Sequence, residues 1–386
     1  MNITNESRYC DLDSFKVSYE EIHGLLSFLV CVFGSIANIL NICVLTTKEM
    51  RWPTNLILTG LAVADLLVML EYIPFSFHRY MNLDDRKYIS HYSYTWAIFM
   101  MFHAVFSQLF HFISCCLTVI LAIWRYLAIT NPSNSRFWCD TKKTFYVIVL
   151  TYLACPLICF PLYQSLQIIP YNQTCDSNNK IVDNKTVTNR TDIVYQIIYV
   201  MTYVNQNYAQ MSFWVYAVVI KFLPCILLTY LSRKLILVLC ETKKRKTVLL
   251  NYNVPLNNMN DVKPIINLRK KHRQADRTSG MLIAVLLLFL ITEFPQSILG
   301  LLSATKGATF QTQCYDPLGD IMDILALTNS GINFILYCTM SRQFRTTFQE
   351  VFRLKYFLKF NPMSQYAHTN GNGNDRNGEK TQISAV

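Results

Sequence analysis

Seven long apolar segments constrain the fold of this chain more than any other feature. They cover approximately residues 24–47, 54–78, 94–128, 143–166, 210–239, 278–302 and 318–340. A helix that crosses a bilayer needs about 20 mostly apolar residues, because the hydrocarbon core offers its backbone no water. Residues 193–206 are also apolar and could extend the fifth segment. The sequence predicts an all-α membrane protein, a bundle of seven transmembrane helices.

Composition supports this class and excludes several others. Charged residues make up 15% of the chain and hydrophobic residues 52%, whereas ordinary globular domains carry roughly 25% charged residues. A soluble enzyme, a coiled coil and a disordered chain are therefore excluded. The net charge of +11 lies in short segments between the apolar runs, which indicates membrane topology rather than nucleic-acid binding.

The basic residues also predict the orientation. With the N-terminus outside, 24 of the 35 lysine and arginine residues fall on the cytoplasmic side, as the positive-inside rule requires. All five N-x-S/T sequons then lie outside, at Asn2, Asn5, Asn172, Asn184 and Asn189. We therefore expect a multi-pass glycoprotein of the plasma membrane, with an extracellular N-terminus and a cytoplasmic C-terminus.

Four regions follow from this topology. Residues 1–23 form a glycosylated extracellular segment and residues 24–340 form the bundle. Residues 341–358 alternate apolar and basic side chains at helical spacing, which is typical of an amphipathic helix on the membrane surface, in contact with lipid. Residues 359–386 are polar and predicted to be a disordered cytoplasmic tail. The tail ends in Ser384-Ala385-Val386, which is either inert or a ligand for a PDZ domain.

Three cysteines reach the oxidising side: Cys10, Cys175 and Cys314. An odd number allows at most one bond among them, and the sequence leaves the pair open.

One set of polar residues lies at matching depth in the middle of the spans: Asp65, Ser114, Asn329 and Asn333. An intramembrane carboxylate is expensive and usually functional. Oxygen ligands suit a hard cation such as sodium. The alternative is a buried acid that is hydrogen-bonded to its polar neighbours. No other cofactor and no structural metal ion is expected.

A second set lies nearer the outer face: Glu71, His78, Gln108, His111, Glu293, Gln296 and Asp323. Three acids that converge on an outward cavity would attract a cationic ligand, and removing one partner of a desolvated charge pair costs about 2–5 kcal/mol. In the alternative, Glu71 pairs with a histidine or Lys221 neutralises one acid.

The order of motifs resembles the rhodopsin-like G-protein-coupled receptors over about residues 24–357. The motifs are GSIANILNICVL with Asn38, LAVADLL with Asp65, WRYLAI with Arg125, KFLPCILLTYL with Pro224, LFLITEFPQ with Pro295, and LTNSGINFILYCTMSRQFR. The resemblance implies a G protein, and possible arrestin binding, at a cytoplasmic face formed by Trp124, Arg125, Tyr126 and Tyr337. Without the resemblance, Arg125 could equally be an anchor that snorkels to the interface.

Within that group the chain is most similar to the myosuppressin and FMRFamide-like peptide receptors of invertebrates. MRWPTNLILTGLAVADLLVMLEYIPF, LAIWRYLAI and LITEFPQSILGLLS carry this closer likeness. It implies an amidated neuropeptide that ends in Arg-Phe-amide, and coupling through Gi/o that lowers cyclic AMP. Glu71, Glu293 and Asp323 would then receive the arginine, while Phe75, Phe110, Gln108, His111 and Gln296 would hold the terminal Phe-amide.

The chain departs from the superfamily at several positions. Trp124 replaces the usual acid before Arg125, Glu293 replaces the tryptophan of the sixth helix, and Phe334 replaces the proline of the seventh. The outer end of the third span has no cysteine. The superfamily's bond to the second outer loop therefore cannot form, and Cys175 must pair with Cys10 or Cys314, or stay free.

Two rival classes remain at this stage. A seven-span transporter or channel for a cationic solute would need charges along a whole conduit, whereas here they cluster at two depths. An intramembrane enzyme is not expected, because HExxH, G-x-S-x-G and paired protease-like aspartates are missing from the sequence.

Overall fold

Each of the seven apolar segments forms a helix in the computed structural model, which describes residues 9–81, 85–131, 139–182, 194–252 and 262–353. The helices are α1 (Asp13–Leu45), α2 (Pro53–Ser76, continued by the π-helical Phe77–Met81), α3 (Tyr94–Thr130), α4 (Thr141–Gln164), α5 (Gln206–Trp214, π-helical Val215–Phe222 and Leu223–Tyr252), α6 (Val262–Lys306), α7 (π-helical Gln311–Tyr315 and Asp316–Met340) and α8 (Arg342–Val351). Seven of them, α1 to α7, are long and apolar enough to cross a membrane. The predicted seven-helix bundle is confirmed.

Polar side chains fix the beginnings of several helices. Ser93 caps α3 by accepting from the Trp96 amide, and Asp140 caps α4 by accepting from the Lys142 amide. Ser341 caps α8 in the same way, through the amide of Phe344. These bonds satisfy backbone donors that have no partner within the helix.

Helix α1 begins well before the predicted start of the first span at residue 24. Its first turns pack against α2 and the loop that follows it. Glu20 pairs with Arg86 of the loop at 2.7 Å, and His23 Nε2 lies 3.2 Å from the hydroxyl of Tyr72 on α2. These tertiary contacts stabilise a polar stretch as helix, which the hydropathy of residues 13–23 does not reveal.

The extension of the fifth span over residues 193–206 is wrong. Val194–Tyr203 forms a strand, β2, that pairs antiparallel with β1 (Leu166–Cys175), in register from Leu166 opposite Tyr203 to Cys175 opposite Val194. The pairing satisfies the backbone groups of both apolar segments without a helix. We call this end of the bundle the hairpin end and the opposite end the α8 end.

The helices pack most closely where small residues meet. If Gly34 of α1 were replaced by a larger residue, the added Cβ would lie 3.3 Å from the Cα of Gly331 on α7 and would overlap the side chain of Met69 on α2. Small residues of this kind let membrane helices approach one another. Helix α4 is the most exposed of the seven, with Leu153 and Leu157 exposed by 65% and 76%, as expected of a lipid-facing helix.

The amphipathic segment after α7 forms α8. Phe344 is buried, and its ring packs against those of Tyr337 and Phe348. Arg345 Nη1 donates to the Cys338 carbonyl at 2.9 Å. The remainder of the predicted segment beyond residue 353, the tail 359–386 and Ser384–Val386 lie outside the described residues.

One disulfide closes the hairpin end, and it joins Cys10 to Cys314 on α7. The third candidate, Cys175, is a buried free thiol that donates to the Gln173 carbonyl at 3.4 Å. Burial raises the pKa of the Cys175 thiol, which keeps it protonated and a poor nucleophile for disulfide exchange. The pair that the sequence left open is therefore set by tertiary structure.

Candidate functional site

A cavity of about 340 Å³ lies beneath the hairpin, between α3, α5 and α7. It is lined by Phe75, Met100, His103, Ala104, Val105, Gln108, Leu162, Ser165, Leu166, Met201, Tyr203, Ser212, Phe213, Tyr216, Gln311 and Tyr315. The wall is aromatic with a few amide, hydroxyl and imidazole groups, as in sites that bind small molecules or peptide ends. Burial and the charge of Asp316 both raise the pKa of the Tyr203 phenol, which keeps it a neutral hydrogen-bond donor.

A smaller cavity of about 30 Å³ lies deeper in the bundle. Its lining contains Tyr72, His111, Lys221, Gln296 and Asp323, together with Gln108, which also lines the upper cavity. Gln108 therefore stands at the boundary between an aromatic upper chamber and a charged floor. Five of the eight predicted ligand-binding residues line one of these two cavities: Phe75, Gln108, His111, Gln296 and Asp323.

Asp323 is a half-buried carboxylate on α7. Its Oδ2 accepts a hydrogen bond from the Tyr72 hydroxyl at 3.3 Å, and no basic side chain in the described part of the chain forms an ion pair with it. One turn earlier, Asp320 accepts from Tyr80 at 2.7 Å. Asp323 is thus the predicted acid that keeps capacity for an external cation.

Glu71 pairs with a histidine, as the alternative interpretation proposed. Its Oε1 lies 2.7 Å from His103 Nδ1, and the His103 ring stacks on Phe75 with 3.7 Å between centroids. Its other oxygen, Oε2, is buried and has no hydrogen-bond partner among the described residues. Sequence reasoning missed His103, although it lies on α3 at helical spacing from His111 and would have been found by that spacing.

Glu293 has two partners on one carboxylate oxygen, while its other oxygen, Oε1, is buried and has no hydrogen-bond partner among the described residues. Its Oε2 lies 3.1 Å from Lys221 Nζ and 2.9 Å from His111 Nε2, and Lys221 also donates to Gln296 Oε1 at 2.8 Å. All four side chains are buried. The π-helical segment of α5 carries Lys221, and such segments are frequent at functional sites. The cluster therefore joins α3, α5 and α6 through one charge network.

His111, Cys115 and Glu293 each offer a potential metal ligand atom, and these atoms lie within 4.8 Å of one another. The Lys221 ammonium already supplies a positive charge to the same carboxylate. A second cation there would be repelled by the ammonium, so the geometry favours an ion-pair network over a metal centre.

The last predicted ligand residue, Phe110, lines neither cavity. Its ring packs against Phe106 and Tyr152, with centroids 4.4 and 6.4 Å apart. In this arrangement Phe110 supports the packing of α3 against α4.

The mid-span polar set is partly assembled. Ser114 Oγ donates to Asp65 at 2.9 Å, and Asn333 Nδ2 donates at 3.4 Å. Asn329 is buried nearby in α7 but makes no hydrogen bond to Asp65. The oxygens of these groups are of the kind that sodium prefers as ligands, whereas in the structure the Ser114 O–H and the Asn333 N–H donate to the carboxylate.

The residues predicted for the cytoplasmic face lie toward the α8 end. Trp124 donates its indole N–H to Thr144 Oγ1 of α4 at 3.0 Å. The guanidinium of Arg125 forms no ion pair with any described acid, and its buried Nε has no hydrogen-bond partner there. Tyr126 is half-buried, and Tyr337 is buried against Phe344. Within the part of the chain that the structure describes, Arg125 is therefore held by packing and not by an acidic partner.

Comparison with known proteins identifies the family. Residues 25–355 match the family of the serpentine-type seven-transmembrane G-protein-coupled receptor chemoreceptor Srw. The chain is 31% identical over 356 residues to the G-protein coupled receptor dmsr-1 of Caenorhabditis elegans, which covers 86% of this chain and 68% of that protein. It is 26% identical to the sex peptide receptor of Drosophila melanogaster, over 91% of this chain and 77% of the receptor. It is also 26% identical to the thyrotropin-releasing hormone receptor of Mus musculus, over 88% of this chain and 81% of that receptor.

These relatives are signalling receptors and not enzymes, and the matches do not favour the transporter or channel. Together with the seven membrane-spanning helices, the match over residues 25–355 decides the family. The chain belongs to the Srw family of serpentine seven-transmembrane G-protein-coupled receptors.

Proposed function

We propose that this chain is a receptor for an amidated peptide that ends in Arg-Phe-amide, of the FMRFamide-like or myosuppressin type. Two relatives whose names state a peptide or hormone ligand support the peptide class: the sex peptide receptor and the thyrotropin-releasing hormone receptor. The motifs in the second, third and sixth helices support the narrower class. The cavity beneath the hairpin supports a ligand that is partly aromatic and partly cationic.

Asp323 is the observation that carries the proposal. Its carboxylate is half-buried, hydrogen-bonded to Tyr72 and without a basic partner among the described side chains. An uncompensated carboxylate in a low-dielectric site attracts a cation strongly. A side chain that extends past Gln108 from the upper cavity reaches this floor.

The peptide's arginine would bridge Asp323 and Glu71. The two acids are linked by Tyr72, which donates to Asp323 and whose ring lies 5.6 Å from that of His103, the partner of Glu71. The free Oε2 of Glu71 leaves an acceptor for a guanidinium N–H, and the planar fork of arginine suits two carboxylate oxygens. Glu293, being held by Lys221 and His111, forms the floor rather than the primary contact.

The terminal Phe-amide would occupy the upper cavity. Phe75, Tyr203, Phe213, Tyr216 and Tyr315 supply an aromatic wall, and aromatic rings gain from edge-to-face contact. The carboxamide can donate to and accept from Gln108 and Gln311, whereas a free carboxylate would meet no lysine or arginine in this lining, and the imidazole of His103 is already paired with Glu71. The lining therefore favours an amidated peptide over a free acid.

Binding would be transmitted through the cluster of His111, Lys221, Glu293 and Gln296. The cluster links α3, α5 and α6 directly below the pocket. A ligand that prefers one arrangement of these helices shifts their population, so that α6 moves and opens a cleft near Arg125 for the G protein. The resemblance supports Gi/o coupling and arrestin as a further partner. The oxygen-rich set around Asp65 supports a sodium ion there.

The decisive experiment combines receptor and ligand changes. In cells that express the full chain, the potency of an Arg-Phe-amide peptide is measured by cyclic AMP and G-protein activation. Asp323→Asn should lower potency at least tenfold, because it removes one partner of a desolvated charge pair. On the unchanged receptor, a peptide with citrulline in place of arginine should be less potent by the same factor. On the Asp323→Asn variant, the citrulline peptide should be little less potent than the arginine peptide.

Asp320→Asn is the matched control, since this acid lies one turn away and is hydrogen-bonded to Tyr80. It should change potency much less, at equal surface expression. If Asp323→Asn and Glu71→Gln both left the potency of every active peptide unchanged, the arginine site would be excluded. A receptor that no amidated peptide activates would exclude the ligand class itself.

A further inference from the structure

A groove of about 570 Å³ lies at the α8 end, where α1, α2 and α4 meet. Its volume falls within the range of ligand sites, and the peptide pocket at the opposite end does not involve it. It is lined by Leu45, Thr46, Arg51, Leu56, Thr59, Thr141, Lys142, Phe145 and Tyr146. The groove therefore combines residues from three helices and one loop.

The groove is amphiphilic along the bundle axis. Arg51, in the loop before α2, and Lys142, in the first turn of α4, are both exposed. Deeper in the spans, the wall consists of Leu45, Leu56 and the rings of Phe145 and Tyr146, which are exposed by 54% and 70%. A cationic mouth over an apolar wall matches the two parts of a phospholipid.

Both cations are available to an external anion. Arg51 Nε donates to the Thr46 carbonyl at 3.4 Å, which places the guanidinium over the end of α1. Within the described ranges, neither Arg51 nor Lys142 forms an ion pair. In the sequence, the acid nearest to Arg51 is Glu49 and the acid nearest to Lys142 is Asp140. Asp140 caps α4 by accepting from the Lys142 amide at 3.3 Å, and neither acid lines the groove.

We infer that this groove binds one anionic phospholipid from the leaflet at the α8 end. The acidic headgroup contacts Arg51 and Lys142, and an acyl chain lies along Leu56 and Phe145. The inference rests on the proposed orientation, which puts this end at the cytoplasmic leaflet, where anionic lipids concentrate. It does not depend on the peptide ligand. The two unpaired cations favour an anionic lipid over a sterol or a zwitterionic lipid, which would leave them uncompensated.

The test is lipid binding to the purified full-length receptor. Native mass spectrometry in detergent measures binding of phosphatidylserine, phosphatidylinositol bisphosphate, phosphatidylcholine and cholesterol, each titrated alone. The unchanged receptor should bind the two anionic lipids more tightly than phosphatidylcholine. The double variant Arg51→Gln with Lys142→Gln should bind the anionic lipid of highest affinity about tenfold more weakly, because two cationic contacts are lost.

Lys48→Gln with Arg342→Gln is the matched control, since both residues are exposed at the same end and outside the groove. This control variant should bind the anionic lipids as tightly as the unchanged receptor does. Thr59→Trp should also weaken binding, because the ring fills the groove while both cations remain. Equal losses in the two double variants would show diffuse surface charge and overturn the inference. Equal binding of phosphatidylcholine, or cholesterol binding that Thr59→Trp abolishes, would overturn it as well.

Discussion

At the scale of single residues, Lys221 explains why a glutamate can stand deep in the sixth helix. Its side chain is 2% exposed and that of Glu293 is 1% exposed. Neither charge would be tolerated alone in a bilayer core. Lys221 reaches Glu293 and Gln296 at the same time, and His111 contacts the same oxygen of Glu293 as Lys221 does. The cost of one buried charge is therefore offset by the other, and the cluster fixes the relative positions of three helices.

Lys221→Met should destabilise the unliganded receptor. The substitution leaves Glu293 buried without its ammonium partner, and breaking a buried ion pair in this way costs about 3–5 kcal/mol. The temperature at which the detergent-solubilised receptor loses its monodisperse elution peak should fall clearly. Combining Lys221→Met with Glu293→Met removes both charges and should restore most of the loss. A single variant as stable as the unchanged receptor would show that the pair does not hold the helices.

The acids inside the membrane can be recognised from the sequence, but their partners cannot. Asp65, Glu71 and Glu293 stand out because ionisable residues in apolar helices are rare, so the sequence alone marks them as candidates. Their partners could not be chosen. His103 and Lys221 are separated from them by 32 and 72 residues, and only the packing of the helices decides which histidine or lysine meets which acid.

At the scale of elements, the N-terminal segment is bound to α7 by more than one contact. Cys10 is bonded to Cys314. Beside it, the Tyr9 amide donates to Gln313 Oε1 at 2.9 Å, and the Tyr9 ring meets Phe310 edge-to-face at 5.7 Å. The superfamily's bond between the third helix and the second outer loop is impossible here. A different bond therefore restrains the hairpin end, on the opposite side of the cavity.

Removing this bond should have the same effect from either end. Cys10→Ser, Cys314→Ser and the double variant should lower the melting temperature equally, because each breaks one bond, and a disulfide typically contributes about 2–4 kcal/mol. Cys175→Ser should change it less, since this thiol makes one weak hydrogen bond. Melting of the four purified variants and peptide mapping without reduction provide the measurement. Additive losses from the two single variants would contradict the assigned pair.

Element boundaries show which parts of the fold follow from local sequence. The seven helices could be predicted because a bilayer span needs a long apolar run whatever its neighbours are. The hairpin could not, because Val194–Tyr203 is apolar enough for a helix and becomes a strand only by pairing with Leu166–Cys175. The early start of α1 depends in the same way on Arg86 and Tyr72, which belong to other elements.

At the scale of the whole molecule, the two ends of the bundle are chemically different. The hairpin end has an aromatic cavity above Glu71, Glu293 and Asp323, whereas the α8 end has a cationic groove and an Arg125 without an ion pair to any described acid. The charge asymmetry of the sequence predicts which end faces the cytosol. The family match states a receptor but not its direction in the membrane, so the orientation is a separate prediction.

Asn172 provides the test of that orientation. It is exposed on β1 at the hairpin end and is followed by Gln173 and Thr174 in a glycosylation sequon, so it should carry a glycan if this end faces the lumen during synthesis. Asn172→Gln should remove one increment of glycosidase-sensitive mass on a gel, whereas Thr174→Ser retains the sequon and should not. An epitope tag placed after Val386 should be detected only in permeabilised cells. A tag accessible on intact cells, together with a receptor whose mass no glycosidase changes, would show that the bundle is inserted the other way. It would also move the anionic-lipid groove to the outer leaflet, where the charge argument for its occupant no longer holds.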